Sequence, residues 1–230
     1  MIEIIMKNQK TSPNREFIRK AYALQLLNGS FSCPALSEKT GRSCGYTSGI
    51  IRSMLSDGLA VCTRKRDVPG PGGSSLNGPP HPEYALTTRG RSLIKVVLSG
   101  GVFDIIHPGH IHFLSWARKR GDVLVVVVAR DARVKKAKGR LPANNEHDRL
   151  EVVSSLRQVD AALLGSEGSC SDTLERVRPD VVCLGHDQKK DIRWTRAYAR
   201  GPLSHIEISV ATPLRGYSTS NILDRCGRAR

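Results

Sequence analysis

The chain has 230 residues, enough for one large domain or two small ones, and its 39% hydrophobic and 25% charged content exclude a disordered chain. No run of about 18 apolar residues is present, which excludes a membrane span, and Met1–Met6 lack the basic start of a signal peptide, so a cytoplasmic protein is expected. The net charge of +15 points to polyanionic partners, nucleotides or nucleic acid, without choosing between them. Six cysteines without a C-x-x-C pair argue against a zinc knuckle. They are expected to be reduced small hydrophobes, with one exposed thiol near the end.

The elements in chain order fall into two textures. Phe17, Ile18, Tyr22, Leu24, Leu26 and Leu27 predict a helix stopped at Asn28-Gly29. A short helix follows at Cys33–Lys39, broken at Thr40-Gly41. A third runs from Tyr46 to Asp57 with Ile50, Ile51, Met54 and Leu55 inward. Leu59–Arg64 and Glu83–Thr87 predict a hairpin around the Pro/Gly-rich stretch 67–82, which cannot be regular structure.

Three helices and a hairpin resemble the winged helix-turn-helix domain, which sets a first domain at 1–92. That resemblance implies double-stranded DNA as a partner. The third helix would lie in the major groove with Arg42, Tyr46, Thr47, Ser48 and Arg52 near the bases, while Arg64, Lys65 and Arg66 of the wing contact phosphates. The other reading is a domain that only pairs protomers in a homodimer.

From residue 93 onward, short apolar runs alternate with amphipathic segments. Strands are expected at Ile94–Leu98, Val123–Val128, Ala161–Leu164, Val181–Leu184 and Ile206–Val210. Helices are expected at Gly109–Lys119, Glu146–Leu156, Ser171–Val177 and from Ser218 on. Val123–Val128 is unbroken and apolar, as a parallel strand covered on both faces must be. The fold class predicted for 93–230 is an α/β doubly wound, Rossmann-like parallel sheet, preceded by the small helical domain.

The first of these strands runs into Ser99-Gly100-Gly101-Val102-Phe103-Asp104-Ile105-Ile106-His107-Pro108-Gly109-His110. Glycines after a strand let backbone approach a phosphate. Pro108 suits the first position of a helix, whose free amides and dipole favour an anion. His107 and His110 are three apart on one side of that turn, neutral-to-cationic donors suited to charge that builds on a phosphorus under attack.

Gly101-Val102-Phe103-Asp104 with His107-Pro108-Gly109-His110 resembles the G-T-F-D and H-x-G-H signature of the cytidylyltransferase-like nucleotidyltransferases. Lys135–Arg140 resembles that family's lysine-bearing loop, Gly185-His186-Asp187-Gln188 its nucleotide contact after the fourth strand, and Arg215 with Ser218-Thr219-Ser220 its C-terminal R-x-x-x-S-T-[ST] motif. Val128–Asp131, Lys138-Gly139-Arg140-x-Pro142 and Leu184–Gln188 bring the pattern near the archaeal FAD synthase branch. The resemblance implies the transfer of AMP from ATP to FMN with Mg²⁺ or another divalent cation, no tightly bound organic cofactor and no protein-built metal site. It implies His107, His110 and Lys138 as catalytic. Nucleotide contacts would come from Val102, Phe103, His107, Pro108, Gly109, His110, Lys135 or Lys136, Asp187, Arg215, Ser218 and Thr219. Two alternatives stay open: a CTP-dependent transferase acting on a phosphomonoester such as glycerol 3-phosphate, and a DNA-binding regulator that senses a flavin or nucleotide.

Overall fold

The structure, a computed structural model, describes residues 13–64, 81–188, 204–214 and 216–219, with Ile222 and Gly227. Lys65, Arg66, most of the stretch 67–82, Arg215, Ser220 and Cys226 lie outside the described residues. The chain forms two compact units, Met1–Ile94 and Lys95–Arg230.

In the first unit, helix α1 (Pro13–Asn28) buries Phe17, Ile18, Ala21, Tyr22 and Leu24 and ends at Gly29, whose φ of 84° terminates it. A two-residue strand, β1 (Phe31–Ser32), absent from the expected elements, leads into α2 (Cys33–Thr40). Ser32 caps that helix by accepting from the Ala35 amide. Helix α3 (Cys44–Ser56) starts two residues before the expected Tyr46, because Ser43 accepts from the Tyr46 amide as its N-cap. It buries Thr47, Ile51 and Met54, so Thr47 faces the core rather than a DNA groove. Ile50 and Leu55 are half-buried. Strands β2 (Ala60–Arg64) and β3 (Glu83–Leu86) pair antiparallel, and β1 joins β3 in the order β1-β3-β2. The Phe31 and Tyr84 rings meet at 5.9 Å across that added pair. A short helix, α4 (Thr88–Ser92), follows.

The second unit is a five-stranded, wholly parallel sheet in the order β6-β5-β4-β7-β8. Its strands are β4 (Val96–Gly101), β5 (Val123–Val128), β6 (Ala161–Leu164), β7 (Val181–Leu184) and β8 (Glu207–Val210). Successive residues of β5 point to opposite faces, and Val123, Leu124, Val125 and Val126 are all fully buried, so both faces of the sheet are covered. Each such side chain contributes about 1.5–3 kcal/mol relative to exposure. Asp122, Asp160 and Asp180, each just ahead of a strand, accept from Lys95, Leu124 and Val96 backbone amides at 2.8, 2.9 and 2.6 Å and tie the strands' starting ends together. Helices α5 (Pro108–Arg118), α6 (Asp131–Lys138), α7 (Glu146–Ser154) and α8 (Cys170–Val177) connect the strands.

Three expectations need correction. Strand β4 is shifted toward the glycines, since Gly100 and Gly101 form its last rungs with Val127 and Val128 instead of a loop. The lysine-bearing segment is not a loop up to Lys138. It is helix α6, held by Val134 as its one buried residue and closed at Gly139, whose φ is 74°. Of the described cysteines only Cys183 is buried, while Cys44 and Cys62 are exposed and Cys33 and Cys170 half-buried. Among the described residues no helix is long and apolar enough to cross a membrane.

Candidate active site

Strand β4 is the switch point of the sheet. The chain goes from it to β5 and β6 on one side and returns to β7 and β8 on the other, which opens a crevice at its carboxyl end. The turn there is held by two buried charges. Asp104, 9% exposed, accepts from the Ala143 and Asn144 amides at 2.9 Å each, and Asn144 Nδ2 donates back to the Asp104 carbonyl. Arg149, 1% exposed, donates to the carbonyls of Val102, Ala129 and Asn144 and at 2.6 Å to Asp131 Oδ1. One guanidinium thereby ties the turns after β4 and β5 to the approach of α7, with its charge paired and four hydrogen bonds made. Phe103 sits between these clamps at φ 52°, a left-handed conformation that the surrounding bonds over-determine.

Reciprocal bonds join the first residues of α6 and α7. The Glu146 carboxylate accepts from the Asp131 amide and from Arg130 Nη1, while Asp131 Oδ2 accepts from the Glu146 amide. The Asp131 amide, and then Arg130, hold the Glu146 carboxyl below its ordinary range.

His107 is the N-cap of α5 with Pro108 as its first residue, and its side chain makes no capping bond. Freed from that task, the imidazole stacks on His110 with ring centroids 3.8 Å apart and planes 20° from parallel. The Phe103 ring lies 5.2 Å from His110 on the other side. Gly109 permits this packing, because a Cβ there would lie 3.0 Å from the His107 ring and 3.2 Å from Tyr217 Cβ. Burial pushes the His107 pKa down. Burial, then His107 and Lys138, push His110 down to about 4 against the opposing pull of the Ile105 carbonyl and Asp187. Both shifts favour the neutral imidazole. His107 Nδ1 is buried and has no hydrogen-bond partner among the described residues.

The histidines line a cleft of about 890 Å³, within the usual range of small-molecule sites. Val102, Phe103, Gly109, Lys138, Arg140, Asp187, Ser218 and Thr219 line it too, so most of the expected site is brought together. Pro108 and Lys135 do not line it. Pro108 starts the helix on its exposed side, and Lys135 lies about 100° around α6 from Val134, which does line the cleft. Gln188 fixes the loop after β7 by accepting from the Gly185 amide and donating to the Gly100 carbonyl. The Ser218 carbonyl accepts from the Ile222 amide, as at the start of a helix. Asp104, Arg149 and Arg133 are not legible as site residues in the sequence, since apart from the Arg149–Asn144 bond their partners lie 18 to 47 residues away.

Residues 98–225 match the family described as cytidylyltransferase-like. The FAD synthase of Pyrococcus abyssi is 45% identical over 120 residues, which cover 52% of this chain and 80% of that protein. The FAD synthase of Pyrococcus horikoshii is 52% identical over 99 residues, covering 43% of this chain and 66% of that protein. The crystal structure described as a lipopolysaccharide core biosynthesis protein from Thermoplasma volcanium is 40% identical, with a TM-score of 0.50 over 53% of this chain and 98% of that one. This chain therefore belongs to the cytidylyltransferase-like nucleotidyltransferases, among the relatives of the archaeal FAD synthases.

Proposed function

We propose that the second unit makes FAD and pyrophosphate from ATP and FMN. The observation that carries this reading is the stacked His107–His110 pair beside the free amides of α5, in a cleft of about 890 Å³. An FMN phosphate oxygen attacks the α-phosphorus of ATP in line. A new P–O bond forms, the bond to the β-phosphate bridging oxygen breaks, and pyrophosphate leaves without an enzyme-bound intermediate. The imidazoles donate to the non-bridging oxygens as their charge grows, which stabilises the transition state over the ground state. Lys138 adds a positive charge, and Ser218 and Thr219, with Arg215, hold the leaving pyrophosphate. Asp187 seats the nucleotide. Each Asp104 carboxylate oxygen already accepts a backbone amide. Among the described residues Asp187 is the other carboxylate lining the cleft, so Mg²⁺ would be held chiefly by the phosphates and water, supplying charge neutralisation there.

The test is direct. Purified protein with Mg²⁺, ATP and FMN should yield FAD and pyrophosphate, with CTP the poorer donor. Faster consumption of CTP with glycerol 3-phosphate overturns this reading in favour of a cytidylyltransferase.

For the first unit we propose a winged helix-turn-helix module that binds double-stranded DNA. Support comes from the exposed Arg42 and Arg52 around α3 and Arg64 on β2, and from a local excess of 13 Lys/Arg over 6 Asp/Glu in residues 1–92. A module that only pairs protomers would instead yield a dimer that its deletion dissociates, with no salt-dependent retention of DNA.

A further inference from the structure

The two flanks of the cleft differ in chemistry. On the β7 side, Gly185, Asp187, Gln188, Ser218 and Thr219 offer backbone amides, hydroxyls and one carboxylate, a surface made for sugar and phosphate. On the β5–β6 side, helix α6 presents Arg133, Val134, Ala137 and Lys138, which are spaced i, i+1, i+4 and i+5 and so form one stripe. Leu174 of α8 lies opposite. Val134 and Leu174 are 4% and 3% exposed and make an apolar floor. Arg133 Nη2 donates to Cys170 Sγ at 2.8 Å, which holds the guanidinium at the rim above that floor. Lys138, at the other end of the stripe, is close enough to His110 for its charge to act on the imidazole. Five residues of helix separate Arg133 from Lys138, about 7.5 Å along the axis.

We propose, resting on the FMN reading above, that the isoalloxazine ring of the acceptor lies on this flank over Val134 and Leu174, with Arg133 donating to its carbonyl-bearing edge. A flavin ring is a flat tricycle, apolar at its dimethylbenzene end and rich in acceptors at its pyrimidine end. An apolar floor with one guanidinium at its rim matches both ends, since the guanidinium fork suits paired in-plane acceptors and also stacks on aromatic faces. The order along the stripe fits as well, because Lys138 stands at the end next to the histidine pair, where the acceptor phosphate has to arrive. The opposite flank is also apolar in part, through Leu184, Ala211, Pro213 and Leu214, but among the described residues it brings no guanidinium to the cleft, and it would set the Asp187 carboxylate near the acceptor phosphate. Arg133 is thus a binding residue that selects the acceptor and has no part in the choice of nucleotide.

The experiment compares full-length wild type with Arg133→Ala and Ala137→Trp. Both positions are exposed on α6, so both variants should keep the wild-type thermal midpoint. KM values for FMN and ATP would be measured, together with FMN binding by flavin fluorescence in the absence of ATP. The expected result is a rise of tenfold or more in KM and Kd for FMN with KM for ATP within twofold, and partial recovery in Arg133→Lys. A wild type that makes FAD beside variants with unchanged FMN parameters, or with KM for ATP raised instead, overturns the assignment alone. A wild type that neither binds FMN nor makes FAD removes the acceptor reading, and this assignment falls with it.

Discussion

The two units use arginine in opposite ways. In the sheet unit, Arg149 is removed from water and surrounded by three carbonyls and the Asp131 carboxylate. Arg130 is half-buried and bonded to Glu146 and the Gly165 carbonyl. In the helical unit, Arg42, Arg52 and Arg64 stand in solvent, Arg42 resting loosely on the Tyr46 ring at 6.0 Å. A buried guanidinium committed to four bonds within its own chain is not available to a ligand. It fixes the backbone that does. An exposed guanidinium fixes nothing and remains available to a polyanion. The comparison assigns shape to Arg149 and Arg130 of the second unit and affinity to the exposed Arg42, Arg52 and Arg64 of the first.

The sharpest way to break that comparison is Arg149→Met. Removing one partner of a buried, fully paired charge leaves Asp131 and three carbonyls without their donor, so stability should fall by about 3–5 kcal/mol. Turnover should fall with it, because the Val102 and Ala129 carbonyls at the ends of β4 and β5 lose their common anchor. Urea unfolding of the variant measures this, and a midpoint equal to wild type would show that the guanidinium is not structural.

The histidines test the chemistry without the scaffold. His107→Ala and His110→Ala should each lower turnover by about 10²-fold or more, the cost of one transition-state donor. Folding should survive, since neither imidazole caps α5. Near-normal turnover in both single variants would remove the pair from the mechanism.

In the first unit the expected effect is smaller and distributed. Replacing Arg42, Arg52 and Arg64 together by Ala should weaken duplex DNA binding by tenfold or more. It should flatten the log–log salt slope by about 0.9 for each DNA phosphate that is no longer neutralised, while FAD synthesis is unchanged. Arg52→Ala alone should relax sequence preference if α3 reads bases. Titrations at two salt concentrations decide this, and wild-type protein that fails to bind duplex at low salt sinks the DNA reading while leaving the enzyme intact.

What was legible in the sequence follows the same division between local and distant causes. Strands β5, β6 and β7 are continuous apolar runs, each opened by an aspartate, so burial on both faces is written into their own composition. The H-x-x-H turn is equally local, because Pro108 and Gly109 govern the helix start and the ring stack. Helix α6 was hidden because Val134 is its one buried residue and four bases dominate its pattern. Strand β1 has two residues and exists through pairing with Glu83 and Tyr84, some fifty positions away. Arg149 reads in the sequence as an ordinary solvated residue on an amphipathic helix. Nothing in its neighbourhood announces carbonyls at positions 102 and 129.

The last prediction concerns pH, where the effect is smallest and the sign is definite. His110 is held down to about 4 in the folded chain against an ordinary 6.5. Between those values the unfolded chain takes up a proton that the folded chain refuses. The unfolded state then binds more protons, so stability is fully present above pH 6.5 and is lost as the pH falls through that window. His107, also held low by burial, acts in the same direction. Carboxyls held below their ordinary range, such as Glu146 with its ordinary value of 4.5, respond lower on the scale, so the interval from about 6.5 to 4.5 belongs to the histidines. Wild-type thermal midpoints should therefore decline with acid across that interval. His110→Asn should flatten the decline by up to about one proton's worth of linkage while matching wild type above neutrality. Saturating ATP should also flatten it in the wild type, because phosphates beside the pair favour the protonated imidazole in the folded state. Identical slopes for wild type and His110→Asn would mean that the imidazole is solvated, and the desolvated donor pair at the start of α5 would have to be abandoned.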